Sequence, residues 1–523
     1  MGRFVQLDGV SFAYPGTSDL LFADVDAFFP EGGWTGVVGA NGCGKTTLLK
    51  LVSGALAPSS GTVRSLGSAQ YVVQRTDDPP EEWDDFMNAW DSSAVNWRIR
   101  LGIEGEWADR SARGAEGWST LSHGERKRVQ VAVALWHDPD VLALDEPTNH
   151  LDADGKRTLL EALKAYRGAG LVVSHDREFL DELCSQCLFV FPPHAQMRPG
   201  GVTSGMAEDR REQEHAQDEH ATNAAKARRL RAAAQERREA AEQSAARTNR
   251  LKARKSSMHD SDGREKRRLA KLTNKDGWGF SQSAALKSRA AKLAAPDRSI
   301  RVEYKTGFWL DGAGASQRDY VLNVPAGTVE LGDGRVLEHP PLQIRPDDRI
   351  ALVGPNGSGK TSLLKRLLAE TPLPRERLLV VPQEITEEES RRLHAEVKRL
   401  EPEPLGRLMT LVSRLGSRPG RLLSSETPSP GEIRKILLAQ GVARGPHLIV
   451  MDEPTNHLDL PSIGCLEDAL AAAPCALVLV SHDARFLARL ARTQWRLEPT
   501  ARGTRLVVDT ADASKFPSPR WRG

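Results

Sequence analysis

Apolar positions along the chain fall into short aliphatic runs separated by stretches with helical spacing. The runs Val37-Val38, Val141-Leu-Ala-Leu144 and Leu171-Val-Val173 alternate with such stretches. That alternation predicts an α/β domain. The same series returns as Ile350-Ala-Leu-Val353, Leu448-Ile-Val-Met451 and Leu477-Val-Leu-Val480. Each run ends on polar residues, and ligands of open α/β sheets gather beyond the carboxyl ends of strands. The pattern predicts two α/β domains, over 1–195 and 299–523, the second with a short C-terminal tail.

Between them the pattern changes. From Gly205 to about Lys255 no further Gly or Pro occurs, and Ala, Arg, Gln and Glu dominate. This predicts one long exposed helix. At 1.5 Å per residue, such a helix spans about 70 Å. Ser256-Ser-Met-His-Asp-Ser-Asp-Gly263 and Asn274-Lys-Asp-Gly-Trp-Gly279 are read as breakers. A second helix is expected over about 281–295, ahead of Pro296. Residues 196–298 are therefore expected to form a helical hairpin linker, with its tip within 254–280.

Charge sharpens that picture. From Lys226 to Lys292 there are 20 Lys or Arg against 7 Asp or Glu, a surplus of 13. The whole chain carries +2, so the remainder sums to −11. The bland reading is a solvated helix. The sharper reading is contact with a polyanion, because the surplus gathers near Lys252-Ala-Arg-Lys255 and Arg264-Glu-Lys-Arg-Arg268, which favours nucleic acid. Trp278 and Phe280 could stack on bases or pin a small core of the tip. No run of about 18 apolar residues occurs, so no membrane span is expected. Met1-Gly-Arg-Phe-Val-Gln lacks the apolar core of a signal peptide, and no Ser or Thr follows Gly2 at the spacing of a myristoylation site. Cys184-Ser-Gln-Cys187 has no second pair to complete a zinc site and continues into an apolar run, so a buried strand is expected there. Few, scattered cysteines suit a reducing cytoplasm.

The polar ends of the runs carry the chemistry. Gly39-Ala-Asn-Gly-Cys-Gly-Lys-Thr46 returns as Gly354-Pro-Asn-Gly-Ser-Gly-Lys-Thr361. Both are P-loops, whose backbone N–H groups and following helix N-terminus cradle phosphates. The candidate cradles are Gly39, Asn41, Gly42, Gly44 and Thr47, and Gly354, Asn356, Gly357, Gly359 and Ser362. Lys45 and Lys360 would neutralise phosphate charge, and Thr46 and Thr361 would hold Mg²⁺. Asp145 and Asp452, at strand ends, are Walker B carboxylates for Mg²⁺. Glu146 and Glu453 follow directly, and on an extended strand end neighbours point opposite ways. One carboxylate could then serve the metal while the other acts as general base on water. Ser122, Glu146 and His175 recur as Ser429, Glu453 and His482, each displaced by 307 residues. A repeat that keeps its internal spacing means two copies of one module.

With these residues in place, the chain resembles the ATP-binding-cassette proteins. Gln74 and Gln383 stand where that family has its Q-loop, a position that also serves the metal. Leu121-Ser-His-Gly-Glu125 and Pro428-Ser-Pro-Gly-Glu432 stand at its signature, presenting Ser122 and Gly124, and Ser429 and Gly431. Asp152 and Asp459 fit the D-loop, His175 and His482 the switch histidine, and Tyr14 in Phe12-Ala-Tyr-Pro15 the adenine-stacking aromatic. The resemblance implies head-to-tail cassettes in one monomer. Site one would join Lys45, Gln74, Asp145, Glu146 and His175 to Ser429 and Gly431. Site two would join Lys360, Gln383, Asp452, Glu453 and His482 to Ser122 and Gly124.

The tandem cassettes, the sequence Asp-Glu-Pro-Thr-Asn-His-Leu-Asp at 145–152 and 452–459, and the charged helical linker resemble the ABC-F subclass in particular. That resemblance implies a cytoplasmic ATPase that uses ATP and Mg²⁺. It also implies a linker that enters the ribosomal exit-site region, meeting large-subunit rRNA and P-site tRNA. Two roles follow: protection of the ribosome from antibiotics of the peptidyl-transferase centre or exit tunnel, or housekeeping translation control. The length of the linker favours the first. A soluble ATPase subunit of an exporter gives no reason for a basic arm. A DNA-repair ATPase would split a cassette or insert zinc modules. Two departures stand out. Pro428 and Pro430 replace Leu and Gly in the second signature, though proline can begin a helix. Leu331 falls where the second adenine-stacking aromatic is expected. The two sites are therefore expected to be unequal.

Overall fold

The computed structural model describes residues 4–510 apart from 18, 66, 104–113, 150, 255–274, 294–313, 333, 384, 416, 418–421, 423–428 and 457. The chain parts into two compact units, Met1–Gly205 with Tyr304–Gly523, and Met206–Glu303. The first unit holds both α/β modules. In the first module the sheet order is Ala69–Val72, Val141–Asp145, Ala169–Val173, Trp34–Gly39, Gln186–Phe191 and His194–Pro199. The first five strands run parallel and the last antiparallel. The second module repeats this order as Leu378–Val381, Leu448–Asp452, Ala476–Val480, Arg349–Val353 and Thr493–Thr500, and continues into three more strands. In both modules one strand separates the P-loop strand from the Walker B strand, so loop and carboxylates emerge at the same sheet edge.

The apolar runs make these central strands because both faces are covered. Val141–Asp145 and Ala169–Val173 are buried at every residue, as are Leu448–Asp452 and Ala476–Val480. The P-loop helix Lys45–Val52 lays Leu48, Leu49, Leu51 and Val52 on Val141, Ala143, Leu171 and Val173. Full burial of one such side chain stabilises by about 1.5–3 kcal/mol, so this helix is anchored to the sheet beneath it. Leu363, Leu364 and Leu367 of the helix Lys360–Glu370 do the same in the second module. The helices start from Gly44 at φ 99° and Gly359 at φ 98°. A Cβ there would stand 2.9 Å from Leu21 Cδ2 and 2.5 Å from Leu331 Cδ2, so only glycine fits. Cys187 lies buried in the strand Gln186–Phe191, as its apolar context predicts.

The second unit is helical. Val202–Arg254, of 53 residues, enters it, and Lys275–Leu293, of 19 residues, lies within it. Arg237 Nη1 donates to Gln282 Oε1 at 3.0 Å and Ser283 Oγ to the Ala234 carbonyl at 2.8 Å, the descending order of an antiparallel pair. Ala227, Ala234 and Ala290 are buried, and their small side chains let the backbones approach. The sequence placed the start of the second helix near 281. It starts at Lys275, so the stretch Asp276-Gly-Trp-Gly279, read as a breaker, lies in its first turns. Each glycine costs a helix about 1 kcal/mol, which a helix docked along a partner tolerates. Most of the predicted tip, including Arg264-Glu-Lys-Arg-Arg268, lies outside the described residues. Among the described residues no helix is long and apolar enough to cross a membrane.

Candidate active site

Each P-loop lysine folds back over its own loop. Lys45 Nζ donates to the carbonyls of Gly39 at 2.8 Å and Ala40 at 3.2 Å. Lys360 Nζ donates to Gly354 at 2.7 Å and Pro355 at 3.0 Å. Thr46 Oγ1 donates to Asp145 Oδ2 at 2.7 Å, and Thr361 Oγ1 to Asp452 Oδ2 at 2.8 Å. Burial pushes both aspartates up from the ordinary carboxylate range, against these hydroxyl bonds. A hydroxyl and a carboxylate held together at the mouth of a phosphate cradle are hard oxygen donors. They fit Mg²⁺, which keeps most of its waters and takes a few protein oxygens. Sequence reasoning missed Tyr71, whose hydroxyl donates to Asp145 Oδ2 at 3.1 Å. Its counterpart by strand register is Val380, so Asp452 lacks this bond.

The glutamates after the Walker B strands do not sit on extended backbone, as the sequence led us to expect. Both take φ 49°, in the left-handed region. The strand ends because Pro147 and Pro454 follow and supply no N–H. The N–H groups of Glu146 and Glu453 still bond to the carbonyls of Val173 at 2.9 Å and Val480 at 2.8 Å, and the chain turns there. Such a conformation costs of order 1 kcal/mol or more. Both carboxylates are nearly fully buried. Glu146 Oε1 stands 2.9 Å from His175 Nε2, yet neither carboxylate oxygen receives an aligned donor. Glu453 Oε2 accepts the His482 backbone N–H at 3.3 Å, while its Oε1 is 3.6 Å from His482 Nε2 and unpartnered. Burial pushes Glu453 up to about 7. Burial, then Lys360, pushes His482 down to about 4, so its imidazole is neutral at neutral pH.

The signature serines head helices. Ser122 caps His123–Trp136 and Ser429 caps Pro430–Ala443, each in a capping box with Glu125 or Glu432. Pro430 occupies the first turn of its helix, where its missing N–H costs nothing. Gly124 and Gly431 are buried behind the caps, and Pro428 lies outside the described residues. Gln74 and Gln383 are exposed at the ends of their strands. Their backbone carbonyls are held by two cations that sequence reasoning missed. Lys127 Nζ donates to Val73 at 2.6 Å and Gln74 at 2.9 Å. Arg434 Nη2 donates to Gln383 at 2.6 Å and Pro382 at 3.2 Å. A cation five residues after each signature serine was the available signal.

Tyr14 is half exposed beside the first P-loop. Its hydroxyl bonds Thr47 Oγ1 at 2.7 Å and its ring meets Phe12 edge-on, 5.0 Å between centroids. In the second module Leu331 lies against Gly359 instead.

Contacts between the modules are one-sided. Asp459 Oδ2, on a side chain that is almost wholly buried, accepts the Asn41 N–H at 2.7 Å. Asp152 caps its own helix through Gly155 at 2.8 Å, and among the described residues no matching bond joins it to Asn356. Arg177 Nη1 donates to Glu467 Oε1 at 3.1 Å and Oε2 at 3.3 Å. Arg485 pairs with Asp181 at 2.9 Å. Between the modules lies a polar cavity of ≈ 70 Å³, lined among others by Lys156, His175, Asp176, Gln383, Glu453 and His482. The structure therefore brings the second D-loop to the first P-loop, and both switch histidines to one cavity.

A family model for ABC transporters matches residues 22–149 and 337–456. Among curated proteins, the ATP-binding protein Uup of Caulobacter vibrioides is 31% identical, over 88% of this chain and 72% of that one. The ribosome protection protein VmlR of Bacillus subtilis is 27% identical, over 93% and 85%. The tylosin resistance ATP-binding protein TlrC of Streptomyces fradiae is 28% identical, over 93% and 95%. Among solved structures, a model of ribosome-bound archaeal Pelota and ABCE1 superposes with a TM-score of 0.61 at 18% identity, covering 96% of this chain and 78% of that one.

Proposed function

Because the chain belongs to the ABC-F family of tandem-cassette ATPases, we propose that it spends ATP on the ribosome, protecting it from antibiotics of the peptidyl-transferase centre or exit tunnel. The observation that carries this reading is the long basic linker between two complete cassettes. A helix of 53 residues leads toward a segment rich in Lys and Arg, the composition that binds phosphate backbones. The match to a ribosome protection protein and a tylosin resistance protein, each across 93% of this chain, supports it.

At each site the P-loop N–H groups and Lys45 or Lys360 take the β- and γ-phosphates, and Tyr14 stacks on adenine in the first. Mg²⁺, when bound by Thr46 with Asp145 or Thr361 with Asp452, neutralises charge on the transferred phosphoryl group. Glu146 or Glu453 takes a proton from the attacking water, which adds to the γ-phosphorus as the β–γ bond breaks, giving ADP and phosphate. The neutral imidazole of His482 can donate a hydrogen bond to the γ-phosphate without a charge of its own. Ser429 with Gly431 closes site one, and Ser122 with Gly124 closes site two. ATP closes the cassettes and sets the linker in the exit-site region near P-site tRNA; hydrolysis releases it.

The test uses Glu146→Gln with Glu453→Gln, which should bind ATP without turnover. With ATP this chain should sediment with 70S ribosomes, and deleting Lys252–Phe280 or raising salt should release it. Expression of the parent should then raise the inhibitory concentration of a macrolide, lincosamide or pleuromutilin. Sedimentation without protection from any drug favours housekeeping translation control. Recovery with membranes favours an exporter subunit.

A further inference from the structure

Arg434 is one of the largest fully buried side chains of the molecule, 2% exposed. It rides on the helix Pro430–Ala443, four residues into it, behind the cap made by Ser429. Its two terminal nitrogens go to two different elements. Nη1 donates to the backbone carbonyl of Glu453 at 2.5 Å. Nη2 donates to the carbonyls of Gln383 and Pro382. One planar fork thus joins three pieces of the site: the signature helix, the Q-loop and the turn that holds the general base.

We propose that Arg434 is a positioning residue for ATP hydrolysis in the second cassette, and that it makes the general base follow the signature helix. The inference rests on the assignment of Glu453 as that base. Three observations carry it. The Glu453 carbonyl belongs to a turn at φ 49°, the value Glu146 also takes, so strand pairing and the proline set the turn and the fork adds a link from it to the signature helix. Besides Arg434, among the described residues the Glu453 carbonyl meets only the Asn456 N–H, at 3.2 Å. The first cassette has Lys127 at the equivalent place, and its single nitrogen reaches the Q-loop carbonyls of Val73 and Gln74 but makes no bond to the Glu146 carbonyl. An ammonium is a point donor, whereas a guanidinium spans two acceptors with separate nitrogens. Among the described residues, the tie between signature helix and catalytic turn therefore exists in one cassette only.

The consequence is directional. Ser429 and Gly431 lie at the head of the Arg434 helix and belong to site one, while Glu453 and Gln383 belong to site two. A shift of this helix when nucleotide is clamped at site one pulls on the backbone of the base at site two. No guanidinium path runs the other way, because Lys127 leaves Glu146 untied. ATP at site one should then set the turnover of site two more than the reverse.

The experiment uses the full chain with Glu146→Gln, in which only site two turns over. Adding Arg434→Lys copies the first cassette: it keeps the charge and the Q-loop bonds and drops the tie to Glu453. The expected result is a kcat lower by about tenfold to a hundredfold with KM for ATP within about threefold, since misplacing a catalytic group by 1 Å costs up to that much. The melting temperature should stay close to that of the parent. Ser429→Ala should lower site-two kcat by a larger factor in the Arg434 chain than in the Arg434→Lys chain. An unchanged kcat in Arg434→Lys, or a loss confined to KM, overturns the proposal. If Arg434→Lys loses its cooperative unfolding transition, Lys127→Arg in the Glu453→Gln chain decides: kcat should rise as the fork reaches the Glu146 turn, and no rise overturns the proposal. A chain with both Glu→Gln changes that still hydrolyses ATP identifies a failure of the base assignment instead.

Discussion

The two cassettes share a backbone and differ in what surrounds it. Both P-loops turn on a glycine near φ 99°, and both candidate bases sit at φ 49°. Both signature helices begin with a Ser–Glu capping box. Around this common frame the side chains diverge. Tyr14 and Tyr71 attend the first site, whereas Leu331 and Val380 stand in the second. Lys127 ties one Q-loop, and Arg434 ties the other together with its catalytic turn. Backbone geometry is thus kept at the P-loop, at the candidate base and at the signature cap. Side-chain chemistry varies around them.

The divergence extends to the contact between cassettes. Arg177 of the first cassette holds Glu467 of the second, but the residues 307 positions on and back are Ala484 and Leu160. Lys156 enters the shared cavity from the first cassette, and its counterpart is Ile463. Asp459 reaches across to Asn41, and among the described residues Asp152 makes no matching bond to Asn356. Among the described residues these contacts between the cassettes thus lack counterparts 307 positions away.

The sharpest break of the comparison is to silence each site separately. Glu146→Gln and Glu453→Gln should each lower total turnover, and each site's own kcat should fall by about 10²–10⁴, the usual worth of a positioned general base. Single-turnover measurement with γ-labelled ATP reads this directly; equal residual rates in the two single variants would remove the asymmetry between the sites. Acid titration gives the next largest effect. Burial raises Glu453 to about 7 in the fold, above its ordinary 4.5. Its protonated form is favoured by folding, so this group adds stability as pH falls from 7 toward 4.5. His482 is lowered from 6.5 to about 4, so its contribution is present above 6.5 and is lost as pH falls through 4. The two shifts have opposite signs and similar size, so they offset one another in the parent. Glu453→Gln leaves only the histidine, and this chain should lose up to roughly 3 kcal/mol relative to the parent between pH 6.5 and 4. Urea midpoints across that range check it, and parallel curves would refute it.

The fold was legible in the sequence because buried parallel strands write themselves as uninterrupted aliphatic runs. The two glycine turns and the strand-end aspartates that meet Thr46 and Thr361 were legible because a left-handed backbone demands Gly and a rigid spacing. The left-handed turn at Glu146 and Glu453 was not, since it is imposed by strand pairing and the following proline rather than by the glutamate. Lys127 and Arg434 escaped notice for a different reason. A cation inside an amphipathic helix reads as a solvated face, and only the folded chain shows that Lys127 meets two backbone carbonyls and Arg434 three. The start of the second linker helix is not legible locally, because Gly277 and Gly279 read as breakers although the helix begins at Lys275.

The latch predicts a smaller effect. Arg177 is mostly buried on Glu467, yet Glu467 keeps a second partner in Arg489 at 3.0 Å. Truncating one partner of a buried ion pair costs about 3–5 kcal/mol when the other is stranded; with Arg489 in place, Arg177→Ala should cost less than that. A fluorophore pair placed across the two cassettes should report a more open population without ATP. The exchange Ala484→Arg with Leu160→Glu, which copies the latch to the other edge, should reduce opening and slow nucleotide release. An unchanged distance distribution in both would mean that the ion pairs do not hold the cassettes.

The smallest effect isolates the adenine. Tyr14 is fixed from two sides, by its bond to Thr47 and by the edge of Phe12, so its ring loses little freedom when a base settles on it. Leu331 cannot serve in the second cassette, because it fills the space over Gly359 that Leu21 fills in the first. Aromatic stacking is worth about 0.5–1.5 kcal/mol, so Tyr14→Leu should weaken ATP binding at site one by no more than about tenfold and bring it near site two. Tyr14→Phe keeps the ring and loses the Thr47 bond, and should retain most of the affinity. Equilibrium binding of a fluorescent ATP analogue to the Glu146→Gln chain, with and without these changes, separates the ring from the hydroxyl. If Tyr14→Leu binds as tightly as its parent, the difference between the sites lies in the clamp and the latch rather than in the aromatic.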